Sequence, residues 1–230
     1  LEKLSPKTKL LVFPFPNNPT GSIMEKEDLE NIADIIIEND LYVISDEIYA
    51  ELTYSKKHVS IASIKGMQER TVVVGGFSKA YAMTGWRLGY AIGPVEIIEQ
   101  MLKIHQYAIM CAPSVSQYAG IEALRNGDKD VETMRREFNG RRRFLMHSFK
   151  EMGLDCFTPY GAFYCFPNIG KFGMSSEEFA LRLLSEQRLA VVPGTAFGDC
   201  GEGFIRISYA YSLDSLKKAM ERLGRFISAL

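Results

Sequence analysis

The segment GGFSKAYAMTGWRLGY, residues 75 to 90, places a lone lysine, Lys79, at the end of an apolar run and an arginine, Arg87, beyond a short loop. Small residues crowd the N-terminal side of the lysine. A lysine amine becomes a covalent catalyst when it condenses with a carbonyl. An arginine fork suits a phosphate or a carboxylate. Three further polar groups stand in comparable places. Asn18 follows the apolar run KLLVFPF, residues 9–15, and Asp46 and Tyr49 end the run YVISDEIY, residues 42–49. In open α/β sheets, ligands bind outside the carboxyl ends of the strands, so these residues are candidates for one site.

The elements that would position them follow from periodicity. Residues 9–15, 42–49, 70–77 and 86–93 read as strands. Between the first two, MEKEDLENIADIIIEND reads as a helix, with Leu29, Ile32, Ala33 and Ile36 on one face and acids in its first turn. A further helix is expected over 95–109. Strand and helix in this alternation predict an α/β sheet of mostly parallel strands. After residue 110 the texture changes. SVSQYAGIEALRNG is a helix ending at Gly127, residues 129–152 form a long helix closed by Gly153, and GAFYCFPNI reads as a strand. SSEEFALRLLSEQ is a helix opened by Ser175 with Glu178 three positions on, a capping-box pattern. FIRISYA, residues 204–210, is a strand, and Ser212 and Asp214 open a final helix. The expected organisation is a mostly parallel large domain over 1–135 and a smaller α+β domain over 136–230.

Pyridoxal phosphate is a cofactor that asks for this set of side chains. Its aldehyde takes a lysine, and its ring nitrogen needs a carboxylate partner to stay protonated. Its phenolic oxygen needs hydrogen-bond donors, and its phosphate needs a cation. Lys79, Asp46, Tyr49 with Asn18, and Arg87 are the right types in that order, and the loop after Lys79 would return Arg87 to the phosphate end.

GFSKAYAMTGWRLG resembles, along its whole length, the lysine signature of the class I/II aminotransferases, which are fold type I enzymes of pyridoxal phosphate. NNPTG resembles the family's asparagine motif, SDEIYAEL its aspartate–tyrosine strand, and GAFYCFP and FIRISYA its small-domain motifs. The resemblance implies that Lys79 is the Schiff-base lysine and catalytic base, that Asp46 partners the pyridine nitrogen, and that Tyr49 and Asn18 bond the phenolic oxygen. It implies Arg87 and Ser78 at the phosphate, Arg206 at the substrate α-carboxylate, and Phe163 in the substrate pocket. The implied activity is transfer of an amino group between an amino acid and a 2-oxo acid by a cytoplasmic homodimer. The family's glycine-rich phosphate cup and its cofactor-stacking ring find no match here. The resemblance therefore implies the C-terminal portion of such an enzyme, inactive alone and holding the cofactor weakly or not at all. A C–S β-lyase on the same fold, or the aminotransferase-like sensing domain of a regulator, is the alternative. No arginine occurs between Arg87 and Arg125, so specificity for dicarboxylates gets no support.

Composition excludes other classes. The 27 basic and 28 acidic residues leave a net charge of −1, which argues against a polyanion-binding surface. The arginines at 141–143 are expected on the solvated face of a helix, with no nucleic acid as partner. No apolar run reaches membrane-spanning length. Cys111, Cys156, Cys165 and Cys200 have no CxxC spacing, and His58, His105 and His147 have no metal-ligand spacing, so reduced thiols and no metal are expected.

Overall fold

The computed structural model describes residues 4–230, which divide into two compact units. The first unit takes the chain up to Pro16 together with Ile23–Thr133, and the second takes Asn17–Ser22 with Met134–Leu230.

In the first unit, strands β1 (Leu10–Pro14), β2 (Tyr42–Asp46), β3 (Thr71–Gly76) and β4 (Gly89–Ile92) form a sheet in that order. β1, β2 and β3 run parallel, and β4 returns antiparallel to β3. Helix α1 (Lys26–Glu38) crosses from β1 to β2, as its periodicity predicts. Leu29, Ala33 and Ile36 are buried against Phe13, Leu41, Val43, Ile61 and Met67, with Ile32 at the edge of that core. Each of the larger of these side chains contributes about 1.5–3 kcal/mol by leaving water. Glu27 and Asp28 sit in the first turn, where the helix dipole favours them. Helix α2 (Phe77–Ala80) is a single turn directly after β3, and α3 (Val95–Ala108) and α4 (Ser114–Asn126) follow β4.

Two strands are shorter than their apolar runs suggest. β2 stops at Asp46, and Tyr49 lies beyond it in a turn closed by the Ala50 amide on the Glu47 carbonyl at 2.9 Å. The cause is a buried polar brace. The Glu47 carboxylate, with its side chain only 9% exposed, accepts from Ser45 Oγ at 2.9 Å and from Ser60 Oγ at 2.6 Å, and lies 2.8 Å from His58 Nε2. Pulling Glu47 inward bends the chain off the sheet. β4 likewise begins only at Gly89, because a 3₁₀ turn occupies Thr84–Trp86.

Helix α5 (Asp128–Glu151) leads into the second unit, where β5 (Tyr164–Cys165), β7 (Ile205–Ser208) and β6 (Val192–Pro193) form a small antiparallel sheet in that spatial order. Of GAFYCFPNI only two residues are strand. Ala162 adopts a positive φ of 56°, and single bridges at Pro167 and Asn168 replace a continuous ladder. Helix α6 (Ser176–Gln187) begins at Ser175, whose side chain accepts from the Glu178 amide, and α7 (Leu213–Ser228) begins at Ser212, whose side chain accepts from the Ser215 amide. Leu216, Met220, Leu223 and Phe226 of α7 are buried, and Phe226 meets Phe179 of α6 edge-to-face at 5.1 Å. The arginine triplet is not uniformly solvated. Arg143 is exposed and Arg141 pairs with Glu137, but Arg142 is partly buried and donates to the Pro159 carbonyl at 2.9 Å.

The link from β6 to β7 is the loop GTAFGDCGEG, in which Gly194 and Gly201 lie backbone against backbone. A Cβ on Gly194 would collide with the Gly201 carbonyl and meet the Phe204 carbonyl at 2.8 Å. The Gly194 amide donates to that Phe204 carbonyl at 2.8 Å. Beyond the crossing, the Glu202 carboxylate accepts from the Ser176 amide at 2.7 Å and so ties the loop to the start of α6.

Two outcomes follow. Gly194→Ala should lower stability by about 3 kcal/mol in urea denaturation, because backbone must move to admit the methyl group. Gly85→Ala, whose added Cβ meets nothing within 4 Å, should change it by less than about 0.5 kcal/mol. The second outcome concerns pH. Burial pushes the Glu47 carboxyl up, but the hydrogen bonds from His58 and Ser60, the charge of His58 and the bond from Ser45 outweigh it and hold the group below its ordinary value. A depressed carboxyl contributes stability that is complete above its unfolded value, near 4.3, and is lost as pH falls through the folded value. The fall in melting temperature between about pH 5 and pH 3 should therefore be shallower in Glu47→Gln than in wild type. Parallel curves would show that Glu47 does not report this brace.

Candidate active site

The first unit assembles five of the expected residues at one edge of its sheet. Asp46 is the last residue of β2, in register with Val74 of β3, and its Oδ1 accepts from the Ile48 amide at 3.2 Å. Because β2 and β3 are parallel, the chain leaving β3 emerges at the same edge. There it forms α2, which carries Ser78 and Lys79. The β3–β4 hairpin then brings Arg87 back. Gly76 pairs with Gly89, and the Phe77 amide donates to the Leu88 carbonyl at 3.2 Å, so Arg87 stands at the same sheet edge as Lys79. Tyr49 is buried in the turn that follows Asp46.

The glycines before Lys79 have a local cause. A Cβ on Gly75 would meet the Tyr90 ring at 2.5 Å, so the ring of β4 lies directly on the backbone of β3. Phe77 meets Tyr90 edge-to-face at 6.1 Å and Tyr81 at 5.4 Å. These rings form an apolar base under α2. Burial first, and then the charges of Glu51 and Glu47, push the Tyr90 phenol above its ordinary value. Burial does the same for Tyr81, with Asp128, Glu51 and Tyr90 adding to it. Both rings thus stay neutral at physiological pH. Arg87 takes a left-handed conformation, φ 53°, and its Nη1 donates to the Thr84 carbonyl at 2.6 Å. The rest of its fork faces solvent, open to an anion.

The other expected residues belong to the second unit. Asn17 closes the NNPTG turn, its Oδ1 accepting from Thr20 Oγ1 at 2.8 Å, and this leaves Asn18 to project. The Gly21 carbonyl accepts from the Tyr160 and Gly161 amides at 2.8 and 2.9 Å, docking the turn beside β5. Gly21 holds a φ of +70°, and a Cβ there would crowd the Gly161 carbonyl at 2.9 Å. So placed, Asn18 Oδ1 accepts from Arg206 Nη1 at 2.8 Å. Arg206 is partly exposed, like Ser208, on the face of β7 opposite the buried Ile205 and Ile207, as strand alternation predicts. Phe163 is half-buried, its ring 5.5 Å from Phe138 and 4.8 Å from Tyr164. Sequence reasoning missed Phe197 and Tyr164, whose rings lie over the Arg206 guanidinium at 4.8 and 4.5 Å. The closely spaced glycines at 194, 198, 201 and 203 were the available signal for the loop that carries Phe197.

The donor set fits pyridoxal phosphate on chemistry. A carboxylate, an amine and an open guanidinium share one sheet edge, and those are the partners of a ring nitrogen, an aldehyde and a phosphate. Among the described residues, no cluster of His, Cys, Asp or Glu could hold a metal ion, and no helix is long and apolar enough to cross a membrane. All four cysteines are free thiols.

Comparison with known proteins agrees with this reading. A putative aminotransferase of Bacillus subtilis is 53% identical over 221 residues, covering 96% of this chain and 57% of that protein. An aspartate aminotransferase of Pyrococcus abyssi is 50% identical over 224 residues, covering 96% of this chain and 58% of that one. The crystal structure of an aromatic aminotransferase from Pyrococcus horikoshii superposes with a TM-score of 0.97 at 47% identity, covering 99% of this chain and 62% of that chain. The chain thus spans about three-fifths of the length of these relatives, and those shares do not bear out its placement in the C-terminal portion. The profile for aminotransferases of class I and II matches residues 1–223, and the chain belongs to that family.

Proposed function

We propose that the intact protein is a pyridoxal phosphate-dependent aminotransferase, a cytoplasmic homodimer that moves an amino group from an amino acid to a 2-oxo acid. The observation that carries this reading is the sheet edge of the first unit. Asp46 ends β2, Lys79 follows β3, and the Gly76–Gly89 pairing returns Arg87 to the same edge. Free thiols accord with a reducing compartment. The apolar side chains that α3 and α4 leave in water, such as Ile104 at 73% and Tyr107 at 90% exposure, accord with a covered face in the intact protein.

When bound, the cofactor supplies a protonated ring that draws electrons from the substrate Cα and so acidifies it. The residues of this chain do the rest. The Asp46 carboxylate keeps the proton on the ring nitrogen. Tyr49 and Asn18 donate hydrogen bonds to the phenolic oxygen. Arg87, with Ser78, binds the phosphate. Lys79 anchors the cofactor and then, as a free amine, takes the proton from the substrate Cα. Arg206 grips the α-carboxylate, and Phe163 lines the side-chain pocket. The names of the relatives point to α-amino acids of the aspartate and aromatic kinds as donors.

The test uses the intact protein with a panel of amino acids and 2-oxo acids. Asp46→Asn should lower kcat/KM roughly a hundredfold or more while the protein stays folded. Near-normal turnover with cofactor bound would remove Asp46 from its role. The products decide the reaction class. A new amino acid with a keto acid supports transamination, whereas pyruvate with ammonia would overturn it in favour of elimination.

A further inference from the structure

Arg206 is held in a way that the established chemistry of a carboxylate-binding arginine does not require. Its guanidinium carbon lies over two rings, 4.5 Å from the centroid of Tyr164 and 4.8 Å from that of Phe197. Its Nε is buried with no hydrogen-bond partner, and one N–H of Nη1 is committed to Asn18. A guanidinium carries five N–H donors in one plane. With two rings against the guanidinium, the Nε–H buried and one Nη1 donor committed, the remaining N–H groups of the fork are left for an anion. The rings are themselves fixed. Tyr164 lies in β5, in register with Ser208 of β7. Phe197 is carried by the loop that the Gly194–Gly201 crossing closes, and meets Phe166 edge-to-face at 6.1 Å. Phe166 in turn stacks on Phe204 at 5.1 Å.

We propose that Phe197, with Tyr164, is a positioning residue that sets the affinity of Arg206 for the substrate carboxylate, by clamping the guanidinium plane through cation–π contact. This rests on the reading of Arg206 as the carboxylate-binding residue. Clamping does two things. It removes rotamer freedom that an arginine would otherwise lose on binding. It also covers part of the cation with aromatic surface, so that its in-plane donors meet the anion in a drier setting where each hydrogen bond is stronger. Because Phe197 is 37% exposed, its replacement spares the core.

The experiment uses the intact holoenzyme, the α-amino acid donor it turns over fastest, and as probe the carboxylic acid that matches this donor but lacks its amino group. Phe197→Leu should raise both the KM of the donor and the inhibition constant of the acid about fivefold, with kcat within about twofold. Phe197→Tyr should stay within about twofold of wild type, because the ring face is retained. Fluorinating the ring of Phe197 stepwise, which drains its negative face at nearly constant shape, should raise the inhibition constant stepwise. An unchanged constant in Phe197→Leu, equal losses with leucine and tyrosine, or no response to fluorination would each overturn the proposal. Arg206→Lys separates the two claims. If lysine weakens the acid while Phe197→Leu does not, the clamp is wrong and the reading of Arg206 stands. If lysine leaves the acid unaffected, Arg206 does not bind the carboxylate and both fall.

Discussion

The close approach of β4 to the glycine end of β3 is the constraint on which the shared placement of Lys79 and Arg87 depends. β3 has a parallel partner on one side and an antiparallel one on the other. Its last two residues are glycines, so Tyr90 can lie on Gly75 and Gly89 can lie beside Gly76. If either strand were displaced, Lys79 and Arg87 would no longer leave the sheet at one edge. The glycines before the lysine are thus not there for freedom of φ. Gly76 is fully extended, at φ 174°. They are there because a side chain would occupy the space that the neighbouring strand and its ring fill.

Much of this was legible in the sequence, for a physical reason. Buried helix faces and short parallel strands write their period locally, so Leu29, Ala33 and Ile36, or the alternation around Arg206, can be read without the fold. The lysine stretch was legible because its residue types are dictated by chemistry and close packing at once. What escaped depends on contacts between distant segments. β2 ends early because Glu47 is drawn to His58 and Ser60, which a count of apolar residues cannot foresee. β6 is two residues long and lacks a period altogether. The ring clamp on Arg206 joins residues from β5, β7 and the loop after β6, and no short window contains it. Asn17 and Asn18 look equivalent in NNPTG, yet one closes the turn and the other reaches Arg206.

The cations differ in how they are held, and the difference suits the role proposed for each. Lys79 stands on a single helical turn with an apolar base beneath it and is half-buried. An amine that must leave one partner and take a proton from another needs a short, rigid base and a free, flexible stem. Arg87 makes one bond to a carbonyl three residues back and keeps the rest of its fork in water. Such an arginine neutralises charge without fixing a direction, which suffices for a phosphate whose oxygens are equivalent. Arg206 is fixed in position by a strand, in rotation by two rings and in one donor by Asn18. A carboxylate is different in kind, because it is met by a fork of in-plane donors that must be aligned with it. Looseness there is met first in affinity, since a free fork must be ordered when the anion binds. The stiffest of the three holdings is thus the one that the proposed carboxylate role asks for, and the second unit spends its least regular backbone, the glycine-rich loop after β6, on building it.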